Sequence, residues 1–390
     1  MGDNPLIDGV LFGDAVRECL NCYSRGEVAL ISRDSDYFQL GKSVRDSFVE
    51  KGIAVSALVL DDFDKPDASG HSKLFSFREN VGLVVAVGNE EIINISRYFA
   101  GIFGKDIVVV PTKVTFMSVF APKALVFENA KPKIMPCRKP KFVVIDLVFM
   151  SALKKQAYAD AYCEVASKCV ALADSLAVQA LSGLKRSGTT EAVFKILQSV
   201  ADNREEGAKC RVKIINAELR LGLLSGKDCS FLFGSEVYLG QVLGAVRALS
   251  VFENRFFINR PIIKLYEAFL MCDFTKSLVA PDYVGNIAEL SATINCSEME
   301  IIKEYRPYTF EEVCVAREKL VGANVLGFFK KLSVLENRLA ETYKYVYKGR
   351  QKRAEFDVKE IKRVIRLSPY LCENGVLKII SDGGACDCLE

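Results

Sequence analysis

The sequence has almost no histidine. Its 390 residues contain one, His71, and no tryptophan at all. Imidazole is the side chain that changes charge near neutral pH, and it is the commonest ligand for transition metals. A chain with one histidine has little scope for imidazole acid–base chemistry and cannot build a histidine-rich zinc or iron site. Charge of one sign is also lacking: 52 basic and 49 acidic residues leave a formal +3, which is no electrostatic footprint for a nucleic-acid partner. With 26 glycines and 11 prolines there is no collagen-like or low-complexity segment. Apolar runs such as Phe142 to Ile145 and Leu147 to Met150 are cut by Asp146 and fall short of a membrane span, so no membrane association is expected.

Hydrophobic content of 50% with 26% charged residues marks a globular chain with material for large cores. Its length predicts roughly two or three domains. The thirteen cysteines are odd in number and scattered, and Met1 to Asp8 carries two acids without a basic, then apolar, leader. A cytoplasmic protein with reduced thiols is the expectation. Cys19-Leu-Asn-Cys22 and Cys386-Asp-Cys388 could supply four thiolates to zinc or an iron–sulfur cluster if the termini met. Residues 15 to 23 read as a helix, however, and cysteine is a common small core residue, which favours packing.

Residues 1–150 alternate short β-like runs with helical stretches. Strands are predicted at Glu27 to Ser32, Ile53 to Leu60, Gly82 to Val87, Asp106 to Val110 and Lys141 to Asp146, with a helix over Gly41 to Lys51. That order indicates βαβ units and a parallel sheet covered on both faces. Asp61 to Ser76 reads as a loop. Beyond residue 150 amphipathic helical patterns dominate: Leu153 to Leu181, Thr190 to Leu224, Glu236 to Phe252 and Phe310 to Tyr347. The expected architecture is an α/β Rossmann-like domain (1–150) followed by an all-α domain (151–390), with a cleft between them able to take a small molecule. Lys348 to Arg353 is a short basic run without aromatic interleaving, read as a solvated linker.

Leu83 to Val87 leads into Gly88-Asn-Glu-Glu-Ile-Ile-Asn-Ile-Ser-Arg97. A strand, a turn and a helix N-terminus form the geometry that cradles a pyrophosphate. In context this stretch resembles the Gly-Gly-Gly-Ser-x-x-Asp-x-x-Lys loop of the superfamily of glycerol dehydrogenases, iron-containing alcohol dehydrogenases, dehydroquinate synthases and sn-glycerol-1-phosphate dehydrogenases. Val108-Val-Val-Pro111-Thr112 is similar to its Val-Pro-Thr turn beside the nucleotide. Ala161 to Asp174 resembles the Gly-Tyr-Gly-Asp-x-x-Ser-Lys-x-x-x-Leu-Ala-Asp helix of the sn-glycerol-1-phosphate dehydrogenases, without a gap from Glu164 to Asp174. Gly234-Ser-Glu-Val237 resembles their Gly-Ser-Glu-His, and Leu367 to Leu371 with Gly375 to Ile380 their closing segment. The likeness runs in order from about residue 27 to 382.

The resemblance implies a dehydroquinate synthase-like, iron-containing alcohol dehydrogenase fold, assembly into homo-oligomers, NAD(P), and a zinc or iron ion held by one Asp and two His. Such an ion acts as a Lewis acid on a substrate hydroxyl. The implied nucleotide positions are Gly88, Asn89, Glu90, Asn94, Pro111 and Thr112, and the implied metal positions are Glu164, Val237 and, by a looser alignment, Ile258. Val and Ile donate no lone pair, so one carboxylate remains. Asn89 and Glu90 replace glycines that let backbone N–H groups approach phosphate, and Glu91 replaces a serine. At ~4 Å and an effective dielectric near 20, each like-charge pair with a phosphate costs on the order of 4 kcal/mol. The same carboxylates stabilise a helix N-terminus by roughly 0.3–1 kcal/mol each. Arg97 stands at the loop lysine, and Met117-Ser118 at an Asp-Gly.

Metal, pyrophosphate and substrate positions are all altered. The expectation is a pseudoenzyme: a catalytically impaired sn-glycerol-1-phosphate dehydrogenase-like chain that keeps the fold, and room for a small ligand in the cleft, without the ancestral redox chemistry, so that the NAD(P) and zinc or iron of the resemblance are not assigned to it. The alternative is an active NAD(P)-dependent oxidoreductase with a non-standard site and Glu164 as sole ligand. A dehydroquinate synthase-like lyase needs the same cofactors. Asp146 is read as ending a strand, Asp174 as structural, and Tyr162 as packing or as lining the cleft.

Overall fold

The computed structural model describes residues 9–62, 66–69, 80–184, 187–246, 250–272, 281–303, 305–347, 358–371 and 376–384. His71, Cys386, Cys388, Gly375 and the basic run 348–353 lie outside the described residues. The chain divides into two compact units: Met1–Tyr158 with Ser225–Cys229, and Ala159–Leu224 with Ser230–Glu390. The first unit thus extends past residue 150 and takes back a short later segment.

In the first unit the strands are β1 (Val10–Phe12), β2 (Glu27–Arg33), β3 (Val55–Leu60), β4 (Val81–Gly88), β5 (Asp106–Pro111), β6 (Lys123–Glu128), β7 (Lys131–Pro136) and β8 (Phe142–Ile145). Six of them form one sheet in the order β1-β8-β5-β4-β2-β3, every pair parallel. Its helices are α1 (Ala15–Asn21), α2 (Asp34–Asp36), which runs through a π-helical turn into α3 (Lys42–Glu50), then α4 (Glu90–Ile102) and α5 (Leu147–Ala152). Val28, Leu30, Val85, Val87, Val108 and Val110 face one way, against Cys19 of α1 and Val44 and Phe48 of α3. Ala29, Ile31 and Val84 face the other way, towards Phe99 and Ala100 of α4. This two-residue alternation buries both faces, which is why the strands read as continuous apolar runs.

From β2 the chain crosses to the edge strand β3 and returns to β4 on the other side of β2. The strand order therefore reverses between β2 and β4, the position where open parallel sheets bind ligands at their carboxyl ends. Two features were not anticipated from sequence. β1 is three residues long, and β6 and β7 form a separate antiparallel hairpin. The hairpin turn places Asn129 and Ala130 at φ of 52° and 62°. Such a turn is usually announced by Asn-Gly, and alanine hides it.

The second unit is helical: α6 (Lys155–Leu181), which starts in the first, α7 (Gly188–Ala201), α8 (Gly207–Ser225), α9 (Ser235–Val246), α10 (Val251–Phe257), α11 (Asn259–Met271), α12 (Tyr283–Ile294), α13 (Glu298–Ile302), α14 (Phe310–Gly322), α15 (Val325–Val346), α16 (Val358–Leu367) and α17 (Val376–Asp382). Three stretches expected as single helices are each two. Gly207, at φ 65°, separates α7 from α8. Ser250 and Glu253 form a reciprocal cap that restarts the chain as α10. Asn324, in the left-handed region, divides α14 from α15. Every residue from Ala161 to Ala177 in α6 is buried. A helix covered all round must find partners for any charge it carries.

Candidate functional site

At the carboxyl ends of β4 and β5 the structure brings Gly88, Asn89, Pro111 and Thr112 together: Gly88 pairs with Pro111, and Thr112 N–H donates to Gly88 O at 3.0 Å. Asn89 is the N-cap of α4, and its Oδ1 accepts from Ile92 N–H at 3.2 Å. Glu90 accepts a hydrogen bond from the Ser118 hydroxyl. Glu91 pairs with Arg33 at 2.7 Å, and Arg33, largely buried at the end of β2, also donates to Asp62 O. A Cβ on Gly88 would lie 2.9 Å from Ile92 Cβ, so the one surviving glycine is used by close packing.

Asn94 is buried on α4. Arg97 is fully buried, and its guanidinium donates to the backbone carbonyls of Arg138 and Ser118, each at 3.0 Å, and to that of Ala121. Burial lowers its pKa. The residue at the loop-lysine position therefore ties α4 to the chain around β6 and β7. The helix start that would receive a pyrophosphate carries its own cap and its own two carboxylates. A dinucleotide does not fit these residues.

In the second unit α6 sets Glu164 and Lys168 one turn apart. Lys168 Nζ lies 3.1 Å from Glu164 Oε1, 3.1 Å from Glu236 Oε1 of α9 and 3.1 Å from Leu232 O. Arg255 of α10 donates to Glu164 Oε2 at 2.8 Å. Both oxygens of Glu164 are thus held by cations. Burial opposes ionisation of Glu164, but Lys168 and Arg255 outweigh it and hold the carboxyl below its usual range. Burial likewise opposes the Lys168 charge, and Glu164 and Glu236 raise its pKa in spite of it. Glu236 has only Lys168 on one oxygen, and burial pushes its pKa up to about 7.

Val237 follows Glu236 and is 2% exposed; Ile258 ends α10 and is fully buried. Both are core residues. The neighbours of these two positions meet α6: Glu236 through Lys168, Arg255 through Glu164, and Asn259 through a 2.9 Å bond to Ala166 O. Two apolar side chains and a carboxylate already neutralised by two cations are not a donor set for zinc or iron. Among the described residues no group of three His, Cys, Asp or Glu side chains could hold a metal.

The other candidates are structural. Asp174 accepts from Ser235 N–H at 2.7 Å and from Tyr266 Oη at 2.9 Å, fastening α6 to the start of α9 and to α11; burial raises its pKa. Tyr162 donates to Leu339 O at 2.8 Å within a cluster of Phe256, Tyr343 and Tyr347. Asp146 caps α5 through Phe149 N–H and accepts from Ala15 N–H. Cys19 and Cys22 belong to the core of the first unit; burial raises both thiols, Cys22 to about 11, which disfavours a thiolate ligand.

Sequence reading did not single out Arg33, Lys168 or Arg255. Lys168 was legible, since Glu-x-x-x-Lys is a helical ion-pair spacing. Nothing local marks Arg255, which lies 91 residues from its partner.

The described residues thus form a parallel sheet that reverses order at β2 and β4 and, further along the same chain, a helical unit. Residues 14–152 match the family model for iron-containing alcohol dehydrogenase. Comparison with curated proteins yields no match. Among solved structures, NADH-dependent butanol dehydrogenase A of Thermotoga maritima is 12% identical, with 100% of this chain and 98% of that one covered at a TM-score of 0.57. A mutant of an archaeal halo-thermophilic Red Sea brine pool alcohol dehydrogenase is also 12% identical, with 100% and 98% covered at 0.56. An iron-containing alcohol dehydrogenase of Thermococcus thioreducens is 11% identical, with 97% of each chain covered at 0.55. At these identities the likeness to solved structures is one of fold. The family match lies within the first unit, and the likeness of fold runs the length of the chain. No helix among the described residues is long and apolar enough to cross a membrane.

Proposed function

We propose that this chain is a non-catalytic member of the superfamily, with the motifs of its sn-glycerol-1-phosphate dehydrogenase-like branch but without its metal-dependent redox chemistry. One observation carries the reading: Lys168 and Arg255 hold both oxygens of Glu164, the carboxylate at the metal-ligand position. A divalent ion brought to Glu164 would meet two fixed cations. At ~4 Å and an effective dielectric near 20, each would repel it by about 8 kcal/mol, twice the value for unit charges. A single carboxylate cannot offset that without imidazole or thiolate ligands. The substituted start of α4 points the same way, because Asn89 already caps it and the carboxylates of Glu90 and Glu91 occupy its first turn, where an anionic cofactor would be held.

The test is an assay of NAD- and NADP-linked oxidation of sn-glycerol 1-phosphate, glycerol and short alcohols, with zinc, iron or chelator added. No turnover above the protein-free background is expected under any condition. Turnover that chelator abolishes and metal restores would refute the proposal.

A further inference from the structure

Where α6, α9 and α10 meet, the second unit encloses two carboxylates, Glu164 at the implied metal position and Glu236 beside Val237; their exposures are 3% and 0%. Enclosed charge needs a counter-charge. Lys168 stands between them and Arg255 reaches Glu164 from α10, so these four residues carry no net charge when both carboxylates are ionised.

The backbone makes room for this arrangement. Gly240 lies inside α9, where glycine is unfavourable, and its φ is not in the left-handed region. A Cβ there would lie 2.5 Å from Arg255 Cγ, the second carbon of the side chain. Gly234, just before α9, is alike: a Cβ would lie 2.5 Å from Glu236 Oε2 and 2.5 Å from Ala171 Cα. Two glycines on the approach and body of one helix thus clear the path of the arginine and seat one of the carboxylates.

We propose that Arg255, threaded past Gly240, acts beside Lys168, which the family motif already carries, as the tethered cation that takes the place of the divalent ion at Glu164, so that the second unit folds and holds this carboxylate without metal. This rests on the reading that the metal chemistry is absent.

The experiment uses the full chain, treated with chelator and then dialysed against zinc, manganese or iron(II). Metal content and the thermal unfolding midpoint are measured for the wild type, Arg255→Met, Arg255→Ala, Gly240→Ala and the double variant of Arg255→Ala with Gly240→Ala. The wild type is expected to retain no stoichiometric metal and to unfold at the same temperature in every condition. Arg255→Met should lower the midpoint by on the order of 10 °C. Gly240→Ala, which helix propensity alone would make stabilising, should lower it instead, because its methyl group meets Arg255 Cγ; combined with Arg255→Ala, which has no Cγ, it should cost no more than Arg255→Ala alone. Stoichiometric metal that raises the wild-type midpoint, or additive losses in the double variant, would overturn the proposal. If Arg255→Met does not fold, the wild-type metal content and the sign of the Gly240→Ala effect still decide. Cofactor turnover by metal-free protein would defeat the non-catalytic reading and leave the tethered cations standing; bound metal without turnover would do the reverse.

Discussion

The guanidinium of Arg255 donates to the carboxylate of Glu164 at 2.8 Å, from a helix 91 residues further along the chain. Both side chains are almost wholly enclosed, at 7% and 4% exposure. Removing one partner of such a pair leaves the other charged and unpaired, which costs about 3–5 kcal/mol. Glu164→Gln leaves Arg255 and Lys168 with Glu236 as their remaining acidic partner. Urea unfolding should show a loss of that size, with the midpoint moving and the m-value unchanged.

Glu236 makes stability depend on pH. Its folded pKa is raised to about 7 from 4.5, so the folded chain binds this proton more tightly than the unfolded chain does. Its contribution is complete below about 4.5 and is lost as pH rises through about 7. Glu164 works in the opposite sense and at lower pH: its pKa is depressed, and its contribution is lost as pH falls through the folded value. Unfolding free energy measured between pH 5 and 8 should decline with pH in the wild type. In Glu236→Gln, which keeps an acceptor for Lys168, that decline should be visibly shallower; an unchanged slope would assign it to other groups.

Arg97 satisfies three backbone carbonyls from inside the first unit. Arg97→Met removes the charge and leaves those acceptors without their donor. A loss of roughly 3–5 kcal/mol is expected in urea unfolding. A role in cofactor binding would instead leave stability intact.

Glu91 pairs with Arg33 from a half-exposed position, its side chain 43% exposed. Exposed ion pairs are screened by solvent and salt, so Glu91→Gln should cost no more than about 1 kcal/mol. The difference from the wild type should shrink in high salt.

The sheet and the helical unit were legible because their signals are local and repetitive. Continuous apolar runs such as Leu83 to Val87 become central strands, and the apolar run around Ala161 to Asp174 becomes a buried helix. The helix breaks were not legible, because each rests on one residue at a special backbone angle or cap, Gly207, Ser250 or Asn324, inside an otherwise unbroken pattern. At the site, motif spacing located Glu164 and the start of α4. What neutralises Glu164 came partly from Arg255, a contact that depends on tertiary packing and leaves no mark in the neighbouring sequence. The role of Arg97 was hidden for the same reason: the sequence places it at the position of the loop lysine, and its carbonyl partners lie 21 to 41 residues away.

The most direct test of the account is a titration of NADH and NADPH into the purified chain, followed by nicotinamide fluorescence. The absence of tryptophan keeps the protein background low. The account predicts no change in emission up to millimolar cofactor, because the start of α4 already carries the cap of Asn89 and the carboxylates of Glu90 and Glu91. Saturable binding in the micromolar range, with enhanced emission from an enclosed nicotinamide, would contradict it.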